Sequence, residues 1–308
     1  EAYQMHDGAL KALWQYDNAV YSNDYWGQGA HTTRAADMDG DGRDEVLLGS
    51  VCLDDDGTPL WNIGRGHPDG CHLGDVLLSR SGLEVSYCME TPQKTDGGLS
   101  LVDAATGEFI WKLGVPTRHV HSTGMCADLD PAVPGRECYG ADTDEKKRSN
   151  RGWLFSAEGD VLQSGVIYGA TMPTIFWDGD LQREVLRGRI FDHGGEAHEA
   201  RIGRGKVVDI IGDWREEAIA SAPGELRIYS TTIPAMDRRV CFMQDPLYRA
   251  CVRMSSMGYE ISPTPTVPPA ASSPNVNLTV AKTGRELACR VTVSAPLQAP
   301  LTGTLTLR

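Results

Sequence analysis

Ala35-Ala36-Asp37-Met38-Asp39-Gly40-Asp41-Gly42-Arg43-Asp44-Glu45-Val46-Leu47-Leu48 is the stretch from which the rest of the chain is read. Acids at alternate positions, then glycine and more acid, crowd hard oxygens around one tight turn. Their repulsion is relieved by a cation, and Ca²⁺, which takes roughly six to eight oxygens in flexible geometry, suits such a turn. An EF-hand needs a bidentate Glu at the twelfth loop position, which is Leu48 here. The flanks are short and apolar, as strands are. The stretch therefore reads as a calcium turn between β-strands, with Asp37, Asp39, Asp41 and Glu45 as ligands.

Weaker copies follow: Asp75 to Glu84, Asp128 and Asp130 to Glu137, Asp178 and Asp180 to Glu184, and Asp213 to Glu216. Each supplies candidate calcium ligands, and the first acids recur 35 to 53 residues apart. Between them a turn leading into a Trp-ended strand returns, as Gly8 to Trp14, Gly57 to Trp61 and Gly107 to Trp111. Ser156 to Leu162 is a degenerate copy. Units of this length and content predict an all-β chain, a β-propeller with about five blades over residues 1–262. No sustained 3.6-residue period supports helical repeats there. One short helix is expected from Asp245-Pro246 to Met254, with an N-cap and proline at its first position. Residues 263–274 read as a Pro/Ser-rich linker. Alternating runs at 276–280, 287–293 and 303–307 predict part of an immunoglobulin-like β module over 275–308, with a glycosylation sequon at Asn277-Leu278-Thr279.

The net charge of -13 on 308 residues argues against nucleic acid and anionic membranes as partners. No apolar run reaches the ~20 residues of a membrane span. No signal peptide is visible, and the polar opening fits a processed or truncated chain. Eight cysteines without a C-x-x-C pair argue against a zinc site. Their even number fits either disulfides of an extracellular protein, Cys241 with Cys251 among them, or buried free thiols. A serine-hydrolase elbow and a zincin motif are both absent from the sequence. Every acidic turn offers the carboxylate pair of a glycosidase, but those acids are better explained as calcium ligands.

Histidines gather beside the acidic turns. His31 precedes the first, His67 and His72 the second, His119 and His121 the third. Where strands lead into loops on one rim, convergent His and carboxylate point to a metal-assisted site.

These motifs also resemble a family. The phrases Gly27 to His31, Gly64 to His67, Asp103 to Gly107, Ala127 to Pro131, Trp177 to Asp180, Gly212 to Glu217, Leu226 to Pro234 and Gln244 to Arg249 occur in order. Together they are similar to bacterial rhamnogalacturonan lyases of polysaccharide lyase family eleven, over about residues 8–262. The resemblance implies an eight-bladed propeller with several Ca²⁺ ions, secreted or on the cell surface. It also implies β-elimination in the rhamnose–galacturonate backbone of pectin, a pectic polysaccharide being the partner. By the same resemblance His31 and His67 hold the catalytic Ca²⁺, with His67 and Tyr259 against substrate. Arg201 stands where the family has a substrate-site lysine, a position counted with Tyr259 among the catalytic ones. Thr123 stands where the family has an arginine, and nearby His121 is the candidate base, a neutral imidazole suiting near-neutral pH.

Five blades rather than eight would place the others before residue 1. The alternative is a non-catalytic propeller, a carbohydrate-binding, adhesion or self-assembling subunit. Its exposed blade edges would be completed by self-association or a partner chain.

Overall fold

A computed structural model describes residues 1–144, 146, 148–165, 168–169, 171–203, 205–235, 239–255, 259 and 261–266. At 199–200 only the backbone is described, as it is for 275–283 and 286–294. After a hairpin (Ala2–His6 with Ala9–Trp14), five open antiparallel sheets follow one another, each a meander in chain order. The first comprises Gly29–Ala36, Glu45–Gly49, Val51–Leu53 and Pro59–Asn62. The second comprises Pro68–Gly74, Glu84–Met89, Leu99–Asp103 and Phe109–Lys112. Met125–Ala127, Glu137–Thr143, Ser149–Phe155 and Val161–Ser164 build the third. The fourth is Thr174–Ile175, Glu184–Leu186, Gly188–Phe191 and Ala197–Gly203, and the fifth has three strands, Lys206–Val208, Glu217–Ala222 and Glu225–Tyr229.

The acidic turns join the first and second strands of these sheets. Each second strand begins at a buried glutamate: Glu45, Glu84, Glu137, Glu184 or Glu217. The tryptophans work between sheets. Trp14, Trp61 and Trp111 donate their indole N–H to the carbonyls of Asp55, Ala104 and Ala157, each in the last hairpin of the next sheet. Apolar side chains fill the gaps between neighbouring sheets. Leu47, Tyr87 and Val102 join the first two, and Leu101, Cys138 and Phe155 join the second to the third. Each such side chain, fully buried, contributes about 1.5–3 kcal/mol.

The helix Pro246–Met254 forms where expected, its N-cap Asp245 accepting from the Tyr248 N–H. Leu247 and Cys251 on one face enter the core of the first two sheets. Cys251 and Cys241 are free thiols, as are Cys52, Cys71, Cys88, Cys126 and Cys138, and all of these but the half-buried Cys241 are buried. The start of the expected linker is packed: Arg136 and Arg183 donate to the Pro265 and Pro263 carbonyls, and Thr266 N–H to Asp245. Asn275–Thr283 and Glu286–Ser294 pair as a hairpin. The rest of the linker and the third strand expected at 303–307 lie outside the described residues, as do the side chains of Asn277 and Cys289. Among the described residues no helix is long and apolar enough to cross a membrane.

Candidate metal centre

The first strands of the first three sheets bring their leading ends together. His31 lies in Gly29–Ala36, Asp69 in Pro68–Gly74 just after His67, and His119 and His121 precede Met125–Ala127. The strands approach closely because Gly70 has no side chain: a Cβ there would stand 2.7 Å from the Thr123 carbonyl oxygen. His72 reinforces the contact, its Nε2 lying 2.6 Å from that same carbonyl oxygen, which can only accept. Burial first, then the charges of Arg34 and Arg136, pull the His72 imidazole down to about 4, so it stays neutral near pH 7.

Asp69 stands at the centre, 2% exposed. Its Oδ1 lies 3.4 Å from His31 Nε2 and 3.7 Å from His67 Nε2, and is buried without a hydrogen-bond partner. Its Oδ2 accepts the Ser122 N–H and lies 3.3 Å from His121 Nδ1. Glu90, just past the strand Glu84–Met89, repeats the division: Oε2 is 3.2 Å from His67 Nε2 and Oε1 is 3.6 Å from His119 Nε2. His67 Nδ1 meets the Gly29 carbonyl, which can only accept, so the proton sits on Nδ1 and the Nε2 lone pair faces the carboxylates. Lone pair against carboxylate is stable only with a cation or a proton between them. His31, His67, Asp69 and Glu90 place ligand atoms within 4.8 Å of one another, as a metal requires.

Tyr259 packs edge-on against His31, ring centroids 4.3 Å apart, and burial pushes its phenol up, helped by Asp69 and Glu90. It also borders a cleft of about 710 Å³ that runs past Ser122, Thr123 and Thr171 to the exposed Arg187. Arg201 is elsewhere. It is exposed on Ala197–Gly203, across from Arg189, and does not line this cleft.

At the acidic turns the glutamates behave alike. Glu45 accepts the N–H groups of Met38 and Asp39 through Oε2, Glu84 those of Val76 and Leu77, Glu137 that of Leu129, and Glu184 that of Trp177. The other oxygens of Glu45 and Glu137 are buried without partners, as is Oδ1 of Asp75, while that of Glu84 has no hydrogen bond but faces Arg80 Nε at 3.7 Å. Asp37, Asp39 and Asp41 converge within metal-ligand range. Crowded burial raises Asp128 to about 6, Glu137 to about 7 and Glu184 to about 9, with Asp178 and Asp180 adding to the last. Orphaned, hard carboxylate oxygens are the donor set Ca²⁺ takes, so the first three turns fit it, and at the fourth Asp178 converges with Asp192 and His198 within metal-ligand range.

The fifth turn differs. Its equivalent glutamate is Glu217 rather than Glu216, and Ser230 and the N–H groups of Ile210 and Ile211 take up both Glu217 oxygens. Asp213, expected as a ligand, is paired with Arg215 at 2.5 Å. Glu216, also expected as one, is fully buried against Arg183, Tyr248 and the Phe176 N–H.

Asp69 and Glu90 are missing from the sequence reading. Asp69 carried a signal, an acid two residues from His67 and therefore on the same face of a strand. Glu90 and Arg187 carried none.

The sequence matches the rhamnogalacturonan lyase family 11 C-terminal domain over residues 1–204 and 205–268. It is 36% identical over 281 residues to the rhamnogalacturonan endolyase YesW of Bacillus subtilis, covering 85% of this chain and 43% of that protein. To the rhamnogalacturonan exolyase YesX of the same organism it is 35% identical over 297 residues, 85% of this chain and 46% of YesX. The crystal structure of YesW superposes with a TM-score of 0.75 at 35% identity, over 88% of this chain and 48% of that one. The chain thus spans less than half the length of the curated relatives it matches.

Proposed function

The chain belongs to rhamnogalacturonan lyase family 11, and from that premise we propose that it is part of a calcium-dependent lyase acting on the rhamnogalacturonan backbone of pectin. The five sheets are blades of a propeller, and Ca²⁺ ions fill the acidic turns of the first four. The observation that carries the reading is Asp69 Oδ1, buried and unpartnered between His31 and His67.

β-Elimination removes the C5 proton of galacturonate and expels the O4 substituent. A bound divalent cation neutralises the uronate carboxylate and so acidifies C5. His31, His67, Asp69 and Glu90 would hold that charge beside Tyr259 and Ser122, which border the cleft, and so let an anionic protein grip a polyanion. Arg187 supplies a second positive group along the cleft for another uronate, a role that Arg201 does not share from its exposed strand. Tyr259, fixed against His31, shapes the sugar subsite. His121 turns Nδ1 toward Asp69 and His119, which commits it to the cluster rather than to a substrate proton. Such a protein works outside the cell, where pectin is.

The test is incubation with rhamnogalacturonan, following the ultraviolet absorbance of the unsaturated uronate. Absorbance that rises with Ca²⁺, stops with EDTA and is lost in His67→Ala is expected. Binding of the polysaccharide with no absorbance change in saturating Ca²⁺ removes the catalytic claim and leaves the non-catalytic carbohydrate-binding alternative.

A further inference from the structure

Cys126 and Cys138 stand directly opposite each other on Met125–Ala127 and Glu137–Thr143, next to the pair Ala127 and Glu137 that closes the third acidic turn. The register runs through all three pairs of these strands without a shift, so the two side chains leave the sheet on the same face. The Cys138 Sγ–H donates to Cys126 Sγ at 3.6 Å, and both thiols are buried between the second and third sheets with Leu101 and Phe155. At the equivalent register the first, second and fifth sheets pair Ala35 with Val46, Leu73 with Val85 and Val207 with Ala218. Apolar packing therefore asks for no sulfur at this place. One buried cysteine serves as a small apolar side chain, but two in register add nothing to packing that alanine and valine do not.

We propose that Cys126 and Cys138 form a disulfide that staples the base of the third acidic turn. Directly opposite residues of an antiparallel pair have Cα atoms roughly 4.5–5.5 Å apart, within the span of a disulfide. Rotation about the two Cα–Cβ bonds brings the sulfurs from contact to bonding distance without a change of register. The oxidant is a small-molecule disulfide. One cysteine sulfur displaces half of it, giving a mixed disulfide and a free small thiol. The other cysteine sulfur then attacks the first, closing the Cys126–Cys138 bond and releasing the second half as thiol. The two cysteines lose two electrons and two protons, and the reagent gains them. The bond joins residues only twelve positions apart, and the ring it closes carries Asp128, Asp130 and Glu137. It removes unfolded conformations from the segment that presents these acids. This goes beyond the lyase reading and does not depend on it.

The test holds the full chain with excess oxidised glutathione in urea just below its unfolding midpoint, where strands open transiently, then alkylates it and digests it with trypsin. Cleavage after Arg118, Arg136 and Lys146 separates the two cysteines into residues 119–136 and 137–146. Mass spectrometry without reductant is expected to find these two peptides joined, two hydrogens lighter than their sum, and to find them apart after reduction. The oxidised chain is expected to unfold at higher urea than the reduced one, and Cys138→Ala to lose that difference. Should Cys138→Ala fail to fold, the peptide map and the two midpoints of the unaltered chain decide alone. Both thiols alkylated, either one joined to Cys88 or to glutathione instead, or a joined pair that leaves the midpoint where it was, overturns the proposal.

Discussion

The indole N–H of Trp61 donates to the carbonyl of Ala104 at 2.9 Å, although the two residues belong to different sheets. The same bond ties Trp14 to Asp55 and Trp111 to Ala157. The repeated Trp is thus a joint between consecutive sheets, and the glycine that recurs in each hairpin is the surface on which the ring lies. At Gly107, where φ is +74°, a Cβ would meet Trp61 ring carbons at 2.9 Å. Gly224 has nearly the same φ, +81°, with nothing within 4 Å.

Gly107→Ala and Gly224→Ala therefore share the backbone penalty, but only the first drives a methyl into an indole. Gly107→Ala is expected to cost roughly 1–3 kcal/mol more, the usual range for overpacking. Urea unfolding midpoints of the two variants measure the difference.

Orphaned oxygens at the acidic turns predict which glutamates serve a cation. Glu45→Gln is expected to weaken Ca²⁺ binding, each tenfold loss taking about 1.4 kcal/mol off the stability that Ca²⁺ adds. Glu217→Gln, whose oxygens are already satisfied by Ser230 and backbone, is expected to leave the Ca²⁺-linked gain unchanged. Thermal midpoints with EDTA and with Ca²⁺ separate the two.

His72 sets a pH dependence. Its folded value of about 4 lies below the unfolded 6.5, so above pH 6.5 it is neutral in both states and costs nothing. As pH falls toward 4 the unfolded chain takes up the proton first, and up to roughly 3 kcal/mol of stability is lost. His72→Gln is expected to show a shallower fall in stability between pH 7 and pH 4.5. Parallel slopes for the two proteins would show that His72 does not set this dependence.

Arg183, Glu216 and Tyr248 form a buried network under the fourth and fifth sheets. Arg183→Met leaves the Glu216 carboxylate uncompensated and is expected to cost about 3–5 kcal/mol. Adding Glu216→Gln should recover part of that loss. A double-mutant cycle by denaturant unfolding checks it, additivity of the two changes being the contrary result.

Arg187 lines the cleft and Arg201 does not. With rhamnogalacturonan as substrate, Arg187→Ala is expected to raise KM several-fold while Arg201→Ala changes it little. The reverse order would return the substrate-site role to Arg201.

The sequence by itself determined the repeat. Alternating acids with glycine dictate a turn, two-residue alternation dictates strands, and a spaced Trp marks each unit, all of which are local constraints. The Asp245 cap and Pro246 likewise announced the helix, because a helix end is built by adjacent residues. His31, His67 and His121 were legible as a set because they sit at the same point of successive units.

Tertiary structure decided the rest. Asp69 and Glu90 became the centre of the cluster only when two strand ends, brought together across Gly70, removed Asp69 from water and placed histidines on both sides. Glu216 and Asp213 look like the other turn acids in sequence, yet Arg183 and Arg215 neutralise them, one of these arginines coming from 33 positions away. Whether an acid takes a cation depends on which charge reaches it first through space, and spacing along the chain does not encode that distance.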